Sequence, residues 1–331
     1  MLNPNLNLND KMFNDDVEKI PIRKGFGAGL VVAGDLDERI VGLCADLTES
    51  TTMNLFRDKF PNRFIEVGVA EQNLVTVASG MSAMGKIPFV SSYAMFSPGR
   101  NWEQIRTTIA YNDRKVVIVG SHAGISVGPD GGTHQAIEDI AITRVIPNMC
   151  VLSPIDHIQA KLATIACAKT PTPTYLRLAR EPTPVITTET TPFEIGKSYV
   201  YWSPKKPAKV GIIATGALVH KALFVAQELE KEKIFISILA LPTIKPLDEK
   251  GILEFVQNSG KKLAGLVTVE EHQIAGGMGS AVAEFLAQNN PMKIKFIGVK
   301  DVFGQSGTQD ELIEHYGMGA KDIISAVKSL L

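Results

Sequence analysis

The sequence predicts an α/β protein with two doubly wound domains, a mostly parallel one followed by a smaller one. Short apolar runs alternate with helical patterns between residues 39 and 179. The alternation stops in a segment rich in Pro and Thr at 181–197, and it resumes afterwards. Repeated strand–helix–strand units are typical of parallel sheets, because each crossover helix returns the chain to the same end of the sheet.

Five apolar runs in the first domain are predicted strands, since each is short, often β-branched, and followed by small or polar residues. They are RIVGLCADLT (39–48), IPFVSS (87–92), KVVIVGS (115–121), MCVLSP (149–154) and TYLRLA (174–179). Apolar residues three and four apart follow Glu71, Asn101 and His157, and this spacing predicts a helix after each.

The domain boundary is predicted in the Pro- and Thr-rich segment, which lacks helical periodicity. We divide the chain into an N-terminal arm (1–19), a first domain (20–185), a linker (186–200) and a second domain (201–331). The arm is rich in Asn and Asp and weakly periodic, which predicts either a mobile segment or an interface.

The second domain repeats the same alternation over about 130 residues. Its predicted strands are KVGIIATG (209–216), IFISILAL (234–241) and LAGLVTVEE (263–271), with helices at 219–233 and 248–259. A glycine-rich turn with Gly276, Gly277 and Gly279 then precedes another helix. The spacing is not that of a dinucleotide-binding motif, but an anion site at this helix N-terminus stays open.

Composition excludes several functional classes. The 34 basic and 35 acidic residues leave a formal net charge of -1, which lacks the basic surplus of a nucleic-acid-binding protein. No apolar stretch is long enough for a membrane span, and the N-terminus has no signal-peptide pattern. Cys44, Cys150 and Cys167 stand in apolar surroundings without disulfide or metal spacing, which favours a reducing cytoplasm.

Polar residues cluster where the predicted strands of the first domain end. Open α/β sheets bind ligands outside the carboxyl ends of their strands, so these residues are predicted to share one cleft. They lack metal-ligand spacing, which points to an organic ligand. The set is Asp46, Ser50, Glu71, Ser91, His122 and Asp130.

Four segments resemble the transketolase family and occur in that family's order. They are ADLTES (45–50), RFIEVGVAEQN (63–73), SHAGISVGPDGGTHQAIED (121–139) and LPTIKPLD (241–248). The resemblance runs from about Arg23 to the C-terminus. It implies a pyrimidine-binding domain followed by a transketolase C-terminal domain, with thiamine diphosphate as the cofactor.

Glu71 is the most informative residue of this resemblance. Its position at a strand-to-helix junction is, by itself, equally suited to a first-turn acid favoured by the helix dipole. The resemblance implies instead that Glu71 hydrogen-bonds the ring nitrogen of the cofactor's aminopyrimidine. A carboxyl group buried against a heteroaromatic ring favours its neutral form, so it can share a proton with that nitrogen.

The aromatic segment FVSSYAMFSPGR (89–100) resembles the wall of the aminopyrimidine pocket, with Tyr93 and Phe96 at its aromatic positions. Without the resemblance, both rings read as ordinary core residues. The third aromatic position of the family pattern is Gly99 here. Asp46 resembles the acid on the thiazolium side of the site; otherwise it reads as a helix cap.

The remaining site residues are implied to contact the substrate. His122 and His134 match positions near the reacting carbon, and Asp130 matches the acid that binds a substrate hydroxyl. Arg23, Ser50 and Arg180 match positions that hold the terminal phosphate of the sugar. Strand alternation places Arg177 and Arg180 on opposite faces, and we choose Arg180 for the cleft. The other histidines are predicted to be structural: His157, His220, His272 and His315.

The diphosphate-binding motif of transketolases, a GDG followed later by an Asn, does not occur in this sequence. We therefore expect an N-terminal transketolase subunit to supply the diphosphate site and the divalent metal, Mg²⁺ or Ca²⁺, in a two-plus-two hetero-oligomer. The expected reaction is ketol transfer between sugar phosphates of the pentose phosphate pathway. Two alternatives stay open. One is a 1-deoxyxylulose-5-phosphate synthase-like or 2-oxoacid dehydrogenase beta-chain-like subunit, and the other is a non-catalytic assembly subunit.

Overall fold

The computed structural model describes residues 1–258 and 263–331 and has the two-part α/β architecture predicted from the sequence. The strands of the first part are β1 (Lys19–Pro21), β2 (Ile40–Cys44), β3 (Phe64–Glu66), β4 (Ile87–Tyr93), β5 (Val117–Ser121), β6 (Cys150–Leu152), β7 (Thr174–Arg177) and β8 (Pro182–Pro184). Its helices are α1 (Ile22–Leu36), α2 (Asn54–Lys59), α3 (Glu71–Ala83), α4 (Trp102–Gln104), α5 (Asp139–Arg144) and α6 (His157–Lys169). A π-helix, Ile105–Ala110, continues α4, and a 3-10 helix spans Ile125–Asp130.

The second part contains additional elements that the apolar pattern did not predict. Its strands are β9 (Tyr199–Trp202), β10 (Val210–Ala214), β11 (Ile236–Ala240), β12 (Thr243–Lys245), β13 (Gly265–Gln273) and β14 (Ile294–Val299). Its helices are α7 (Leu218–Lys231), α8 (Glu249–Asn258), α9 (Met278–Asn289), α10 (Gln309–His315) and α11 (Ala320–Lys328). Ser259, the last residue of the helix predicted at 248–259, lies outside the described residues.

The larger sheet has seven strands in the order β12-β6-β7-β5-β4-β2-β3, and all of its pairings except β12 with β6 are parallel. All residues of β2 and β5 are buried. Their side chains alternate between the two faces, so both faces must be covered, which explains the continuous apolar runs. The smaller sheet has the order β14-β13-β10-β11-β9, with an antiparallel edge at β9.

Strand β12 belongs to the second part in sequence but completes the sheet of the first part. Thr243 pairs with Leu152 and Lys245 with Val151. The Lys245 ammonium donates to the backbone oxygens of Arg144 and Ile146 at 2.9 and 2.6 Å. The two parts are therefore joined by backbone pairing as well as by side-chain packing.

The Pro- and Thr-rich segment at 181–197, which contains most of the predicted linker, is anchored by hydrogen bonds. Strand β8, at its start, pairs with β1 in antiparallel fashion. The buried Asp156 carboxylate then accepts the backbone N–H groups of Ile186 and Thr187 at 2.8 and 2.6 Å. The same carboxylate accepts the Gln159 N–H and so caps α6. A composition rich in Pro and Thr did not reveal this anchoring, because the partner carboxylate lies about thirty residues away.

The N-terminal arm packs against the second part, which agrees with the second of its two predicted roles, an interface. Leu6 and Met12 are buried in the core that includes α7 and β10. The Asn3 N–H donates to the Tyr201 oxygen at 3.0 Å, and the Asn9 N–H donates to the Ile186 oxygen at 2.8 Å. Leu2, Leu8 and Phe13 pack against the same core, so apolar side chains spread through a polar sequence hold the arm.

Two glycines allow α1 and α6 to pack very closely. A Cβ at Gly25 would lie 1.8 Å from the His157 oxygen, and one at Gly29 would lie 2.7 Å from the Lys161 oxygen. This close approach fixes the first turn of α1, which carries Arg23, beside the residues that follow β7. Among the described helices, none is long and apolar enough to cross a membrane.

Candidate active site

The carboxyl ends of the parallel strands bring the predicted site residues to one edge of the larger sheet. Asp46 follows β2, Tyr93 ends β4, and His122 follows β5. Asp46 and His122 have φ values of 58° and 59°, in the left-handed region that non-glycine residues rarely adopt. Such backbone conformations cluster at functional sites, where the surrounding structure holds them.

Glu71 begins α3 and its side chain is 1% exposed. Arg100 Nη1 donates to Glu71 Oε2 at 2.7 Å, and Asn101 Nδ2 donates to the Glu71 backbone oxygen at 2.9 Å. Asn101 also reaches Ser97 Oγ at 3.1 Å, which ties the start of the helix to the aromatic segment. The buried carboxylate is thus held between α3 and the chain after β4.

Arg100 is a site residue that the sequence analysis did not select. Its side chain is 50% exposed, and its guanidinium carbon lies 4.9 Å from the centre of the Phe96 ring. The only signal in the sequence was its place at the end of the aromatic segment. At Gly99, the third aromatic position, a Cβ would lie 2.0 Å from the Met95 oxygen, so this backbone excludes a side chain there. Arg100 covers Phe96 instead.

Tyr93, Phe96, His122 and His134 form one aromatic cluster. The Tyr93 and His122 rings stack with centroids 3.8 Å apart and planes at 23°. Phe96 lies 6.0 Å from Tyr93 in a nearly parallel orientation and 5.4 Å from His134, edge to face. Tyr93 and Phe96 are only partly buried. Neither ring is therefore a fully buried core side chain.

The His122 side chain is buried beside two arginines. Burial, the positive charges of Arg23 and Arg180, and His134 together lower the pKa of His122 to about 3, which favours its neutral form at physiological pH. Its Nδ1 lies 2.9 Å from Ser121 Oγ. Within the described part of the chain, its other ring nitrogen makes no hydrogen bond. A neutral imidazole with one free nitrogen can donate to or accept from a ligand, depending on its tautomer.

Arg23 and Arg180 lie side by side next to His122. Arg23 Nη1 donates to the Arg180 backbone oxygen, and Arg180 Nη1 donates to the Val127 oxygen at 2.8 Å. Burial lowers the pKa of Arg23, and so does the charge of Arg180. Arg180 also pairs with Glu181 at 2.7 Å, which offsets part of this repulsion. Two adjacent guanidinium groups favour a bound anion.

Arg177 is enclosed between the two parts of the chain. Its Nε donates to Asp139 Oδ2 at 2.8 Å and its Nη2 to the Glu271 backbone oxygen at 2.8 Å. Strand alternation was the reason to place only one of the two arginines in the cleft, but β7 ends at Arg177. Alternation along a strand therefore does not extend to Arg180. The two arginines differ instead because Arg177 forms a buried ion pair with Asp139.

Asp46, Ser50 and Asp130 lie on segments that follow strands β2 and β5, and their side chains make no hydrogen bond within residues 1–258 and 263–331. The Glu66 carboxylate holds the first of these segments by accepting the Asp46 N–H at 2.7 Å. Thr52 Oγ1 donates to the Arg23 oxygen at 2.9 Å, which ties the Ser50 segment to α1. Asp130 ends the 3-10 helix that contains Val127.

The anion site left open at the N-terminus of α9 is filled from within the chain. Glu270 accepts the N–H groups of Met278 and Gly279 at 2.6 and 2.8 Å. Nearby, the buried His272 lies between the Ala141 N–H and the Gln273 oxygen. In the described ranges, no three His, Cys, Asp or Glu side chains lie close enough to hold a metal ion.

Comparisons with known proteins cover nearly the whole chain. Residues 18–185 match the family model for the transketolase pyrimidine binding domain, and residues 203–323 match the model for the transketolase C-terminal domain. A putative transketolase C-terminal section from Methanocaldococcus jannaschii is 43% identical over 309 residues, which are 92% of this chain and 95% of that protein.

Two further relatives are similar over most of their length. A 6-deoxy-6-sulfo-D-fructose transketolase subunit from a Clostridium species is 40% identical over 88% of each chain. A solved structure described as a split gene transketolase, inactive beta4 tetramer, has a TM-score of 0.86 at 41% identity. The match covers 94% of this chain and 98% of the chain in that structure.

Proposed function

The chain belongs to the transketolase family, and on this premise we propose that it is the C-terminal subunit of a split, thiamine diphosphate-dependent transketolase. The complex would transfer a two-carbon ketol unit between sugar phosphates. One observation carries the proposal: a buried carboxylate, Glu71, lies at the edge of an aromatic cluster that continues to a pair of arginines. The carboxylate and the aromatic rings would bind the cofactor ring, and the arginines would bind the sugar phosphate.

The residues present fit the pyrimidine half of thiamine diphosphate. The Glu71 carboxylate is buried and can share a proton with a ring nitrogen. Tyr93 and Phe96 lie nearly parallel and partly exposed, as a wall for a flat heterocycle requires. When bound, this cofactor supplies a nucleophilic carbon and delocalises the carbanion left by the cleaved substrate.

Each residue of the cleft then has a task in the proposed reaction. Glu71 holds the proton at the pyrimidine nitrogen, and Asp46 lines the thiazolium side. His122 and His134 exchange protons with the oxygens beside the reacting carbon, for which a neutral His122 is suited. Asp130 binds a substrate hydroxyl group. Arg23, Ser50 and Arg180 hold the terminal anion of the sugar and so position its other end.

We propose that an N-terminal subunit supplies the diphosphate site and a divalent metal, Mg²⁺ or Ca²⁺. The relative from Methanocaldococcus jannaschii is itself called a C-terminal section, and this chain matches 95% of it. The similar solved structure is called an inactive beta4 tetramer of a split gene transketolase. A two-plus-two assembly, with each active site between unlike chains, follows from this proposal.

The test is Glu71→Gln in the complex reconstituted with the N-terminal subunit. We expect ketol transfer from xylulose 5-phosphate to ribose 5-phosphate to fall by about 10²- to 10⁴-fold, because the amide cannot hold the transferable proton. Cofactor affinity, measured by titration calorimetry, should fall as well. Glu138→Gln, at a half-buried glutamate that does not contact the cluster, is the control and should keep its rate.

Three results would contradict the proposal. An unchanged rate in the Glu71→Gln complex would make Glu71 a bystander. Turnover with pyruvate as the only accepted donor would indicate a synthase-like or dehydrogenase-like subunit. Ketol transfer by this chain alone would remove the need for a partner.

A second donor class is a sulfonated sugar, because one relative is named as a 6-deoxy-6-sulfo-D-fructose transketolase subunit. Sulfonate and phosphate are both tetrahedral oxyanions that paired guanidinium groups bind. Competition between 6-deoxy-6-sulfo-D-fructose and fructose 6-phosphate in the reconstituted complex compares the two donors directly. A higher kcat/KM for the sulfonate would show that the sulfonated sugar, rather than the sugar phosphate, is the preferred donor.

A further inference from the structure

A loop from each part of the chain meets in an interface made of glycines. The first, which we call the glycine-rich loop, spans residues 121–135 and carries His122, Asp130 and His134. The second, the 301–308 segment, connects β14 to α10. A Cβ at Gly132 would lie 2.7 Å from the Gly304 oxygen, and one at Gly131 would lie 2.6 Å from Ser306 Oγ. At Gly132 the facing backbone therefore leaves no room for a side chain, and at Gly131 the Ser306 side chain occupies that space.

Gln135 joins these loops by hydrogen bonds. Its side chain is buried, and its Nε2 donates to the Ile125 oxygen at 2.8 Å and to the Gln305 oxygen at 2.9 Å. A Cβ at Gly304 would lie 1.7 Å from Gln135 Oε1. The Gln135 amide thus connects Ile125, within the glycine-rich loop, to Gln305 in the 301–308 segment.

The 301–308 segment is itself held at both ends. The Asp301 N–H donates to Gln273 Oε1 at 3.0 Å, and Gln273 Nε2 donates to the Val302 oxygen at 3.0 Å. At the other end, Thr308 and Glu311 form a capping box that begins α10. The segment is therefore a fixed surface against which the other loop can be shaped.

The second part also fixes the start of the glycine-rich loop. Glu271 Oε1 accepts the Ser126 N–H at 2.6 Å. A Cβ at Gly124 would lie 2.3 Å from the same carboxylate oxygen, and Gly124 has a φ of 92°. Both halves of the loop are thus held by residues that do not belong to the first part.

We propose, on the basis of the proposed function, that the 301–308 segment is the template that shapes the glycine-rich loop and so sets substrate selectivity. Gly132, Gln135 and Gly304 are positioning residues: they act through His122, Asp130 and His134. A displacement of reacting groups by about 1 Å can cost about 100-fold in rate. The second part would therefore control substrate recognition without a contact to the cofactor.

The structural half of the proposal is tested without any activity, by hydrogen–deuterium exchange of the reconstituted complex. Gly132→Ala should raise amide exchange in both 121–135 and 301–308, because its Cβ meets a backbone oxygen. Gly80→Ala is the matched control, since nothing lies within 4 Å of a Cβ at Gly80. Exchange that rises in only one of the two loops, or equally in the control, would show that they are not coupled.

A double-mutant cycle isolates the contact between Gly304 and Gln135. Gly304→Ala places a methyl group against the Gln135 amide, and Gln135→Ala removes that amide. In the Gln135→Ala background, we expect Gly304→Ala to lower kcat/KM much less than it does in the parent. Additive losses in the two variants would overturn the direct contact.

Kinetics of the complex test the selectivity half. Gly132→Ala should raise the KM for the sugar substrate by about 10-fold or more, and leave cofactor affinity within about twofold of the parent. A loss confined to cofactor affinity or to stability would overturn the template role. If the parent complex shows no ketol transfer, the proposed function fails, while the exchange experiment still reports whether the two loops are coupled.

Discussion

Two arginines three positions apart, Arg177 and Arg180, lie in opposite environments. Arg177 is 7% exposed and donates to Asp139, to the Glu271 oxygen and, at 3.4 Å, to the Ala136 oxygen. Arg180 is 27% exposed in its side chain and donates only through Nη1 among the described residues. The first guanidinium is closed within the protein, whereas Nε and Nη2 of the second make no hydrogen bond to the described residues.

The comparison teaches that two arginines of equal charge can differ in how many of their donors the protein itself occupies, and a proposed ligand needs the unoccupied ones. Burial by itself would lower the pKa of Arg177, but Asp139 and Glu271 outweigh it and raise that pKa well above its ordinary value. Tyr175 completes the pair by donating to the same Asp139 oxygen at 2.7 Å. Through its Nε and Nη2 groups, Arg177 therefore holds residues of the two parts together.

The largest expected effect is on stability, from Arg177→Met. Removing one partner leaves Asp139 buried and uncompensated, which costs about 3–5 kcal/mol in free energy of unfolding. Urea denaturation followed by circular dichroism measures it. The double variant Arg177→Met/Asp139→Leu should recover most of the loss, because both charges are gone. A loss below about 1 kcal/mol in the single variant would mean that water reaches this ion pair.

The next effect is kinetic, from Arg180→Met in the reconstituted complex. We expect kcat/KM for a phosphorylated acceptor to fall by about 100-fold, the cost of a charge-assisted hydrogen bond of about 2–3 kcal/mol. Stability should change little. Comparing ribose 5-phosphate with ribose is the internal control, because the unphosphorylated sugar should lose almost nothing. An equal loss for both acceptors would indicate that Arg180, like Arg177, is structural.

The third effect, no larger than the second, is a pH dependence of stability that arises from one buried carboxyl group. Burial raises the pKa of Glu270 from 4.5 to about 7, although the Gly279 and Met278 N–H groups oppose this. The folded chain then binds more protons than the unfolded chain between these values, so its stability falls as pH rises from about 4.5 to about 7.

The variant Glu270→Gln has no such proton to lose. The difference in unfolding free energy between parent and variant should therefore shrink or reverse by about 2–3 kcal/mol across that window. Glu254→Gln, at an exposed glutamate of α8, should run parallel to the parent. A constant difference between parent and Glu270→Gln would mean that the carboxyl group titrates near its ordinary range.

The sequence predicted the strands of the sheets better than their edges. Runs such as 115–121 are apolar throughout because β5 is buried on both faces, and that pattern is local. Strand β12 has only three residues and owes its conformation to pairing with Leu152 and Val151, far away in sequence. The ordered segment after β8 depends in the same way on the distant carboxylate of Asp156.

In the candidate site, too, residues marked by a local pattern were predicted and residues defined by distant partners were not. Resemblance placed Glu71, Tyr93 and His122 at the ends of recognisable elements, and the structure brings the two rings together. Arg100 was missed because no pattern marks an exposed arginine as the partner of a buried acid twenty-nine residues earlier. The role of Gln135 was missed for the same reason, since its partner Gln305 is 170 residues away.

The position of β12 also bears on how the chain folds during synthesis. The first sheet exposes the free edge of β6 until the ribosome has released residues 243–245, although every other strand of that sheet has emerged by Arg177. An unpaired edge is a template for unwanted pairing with other chains. A nascent chain halted before Thr243 would therefore be prone to aggregate, and the N-terminal 185 residues expressed alone would share that defect.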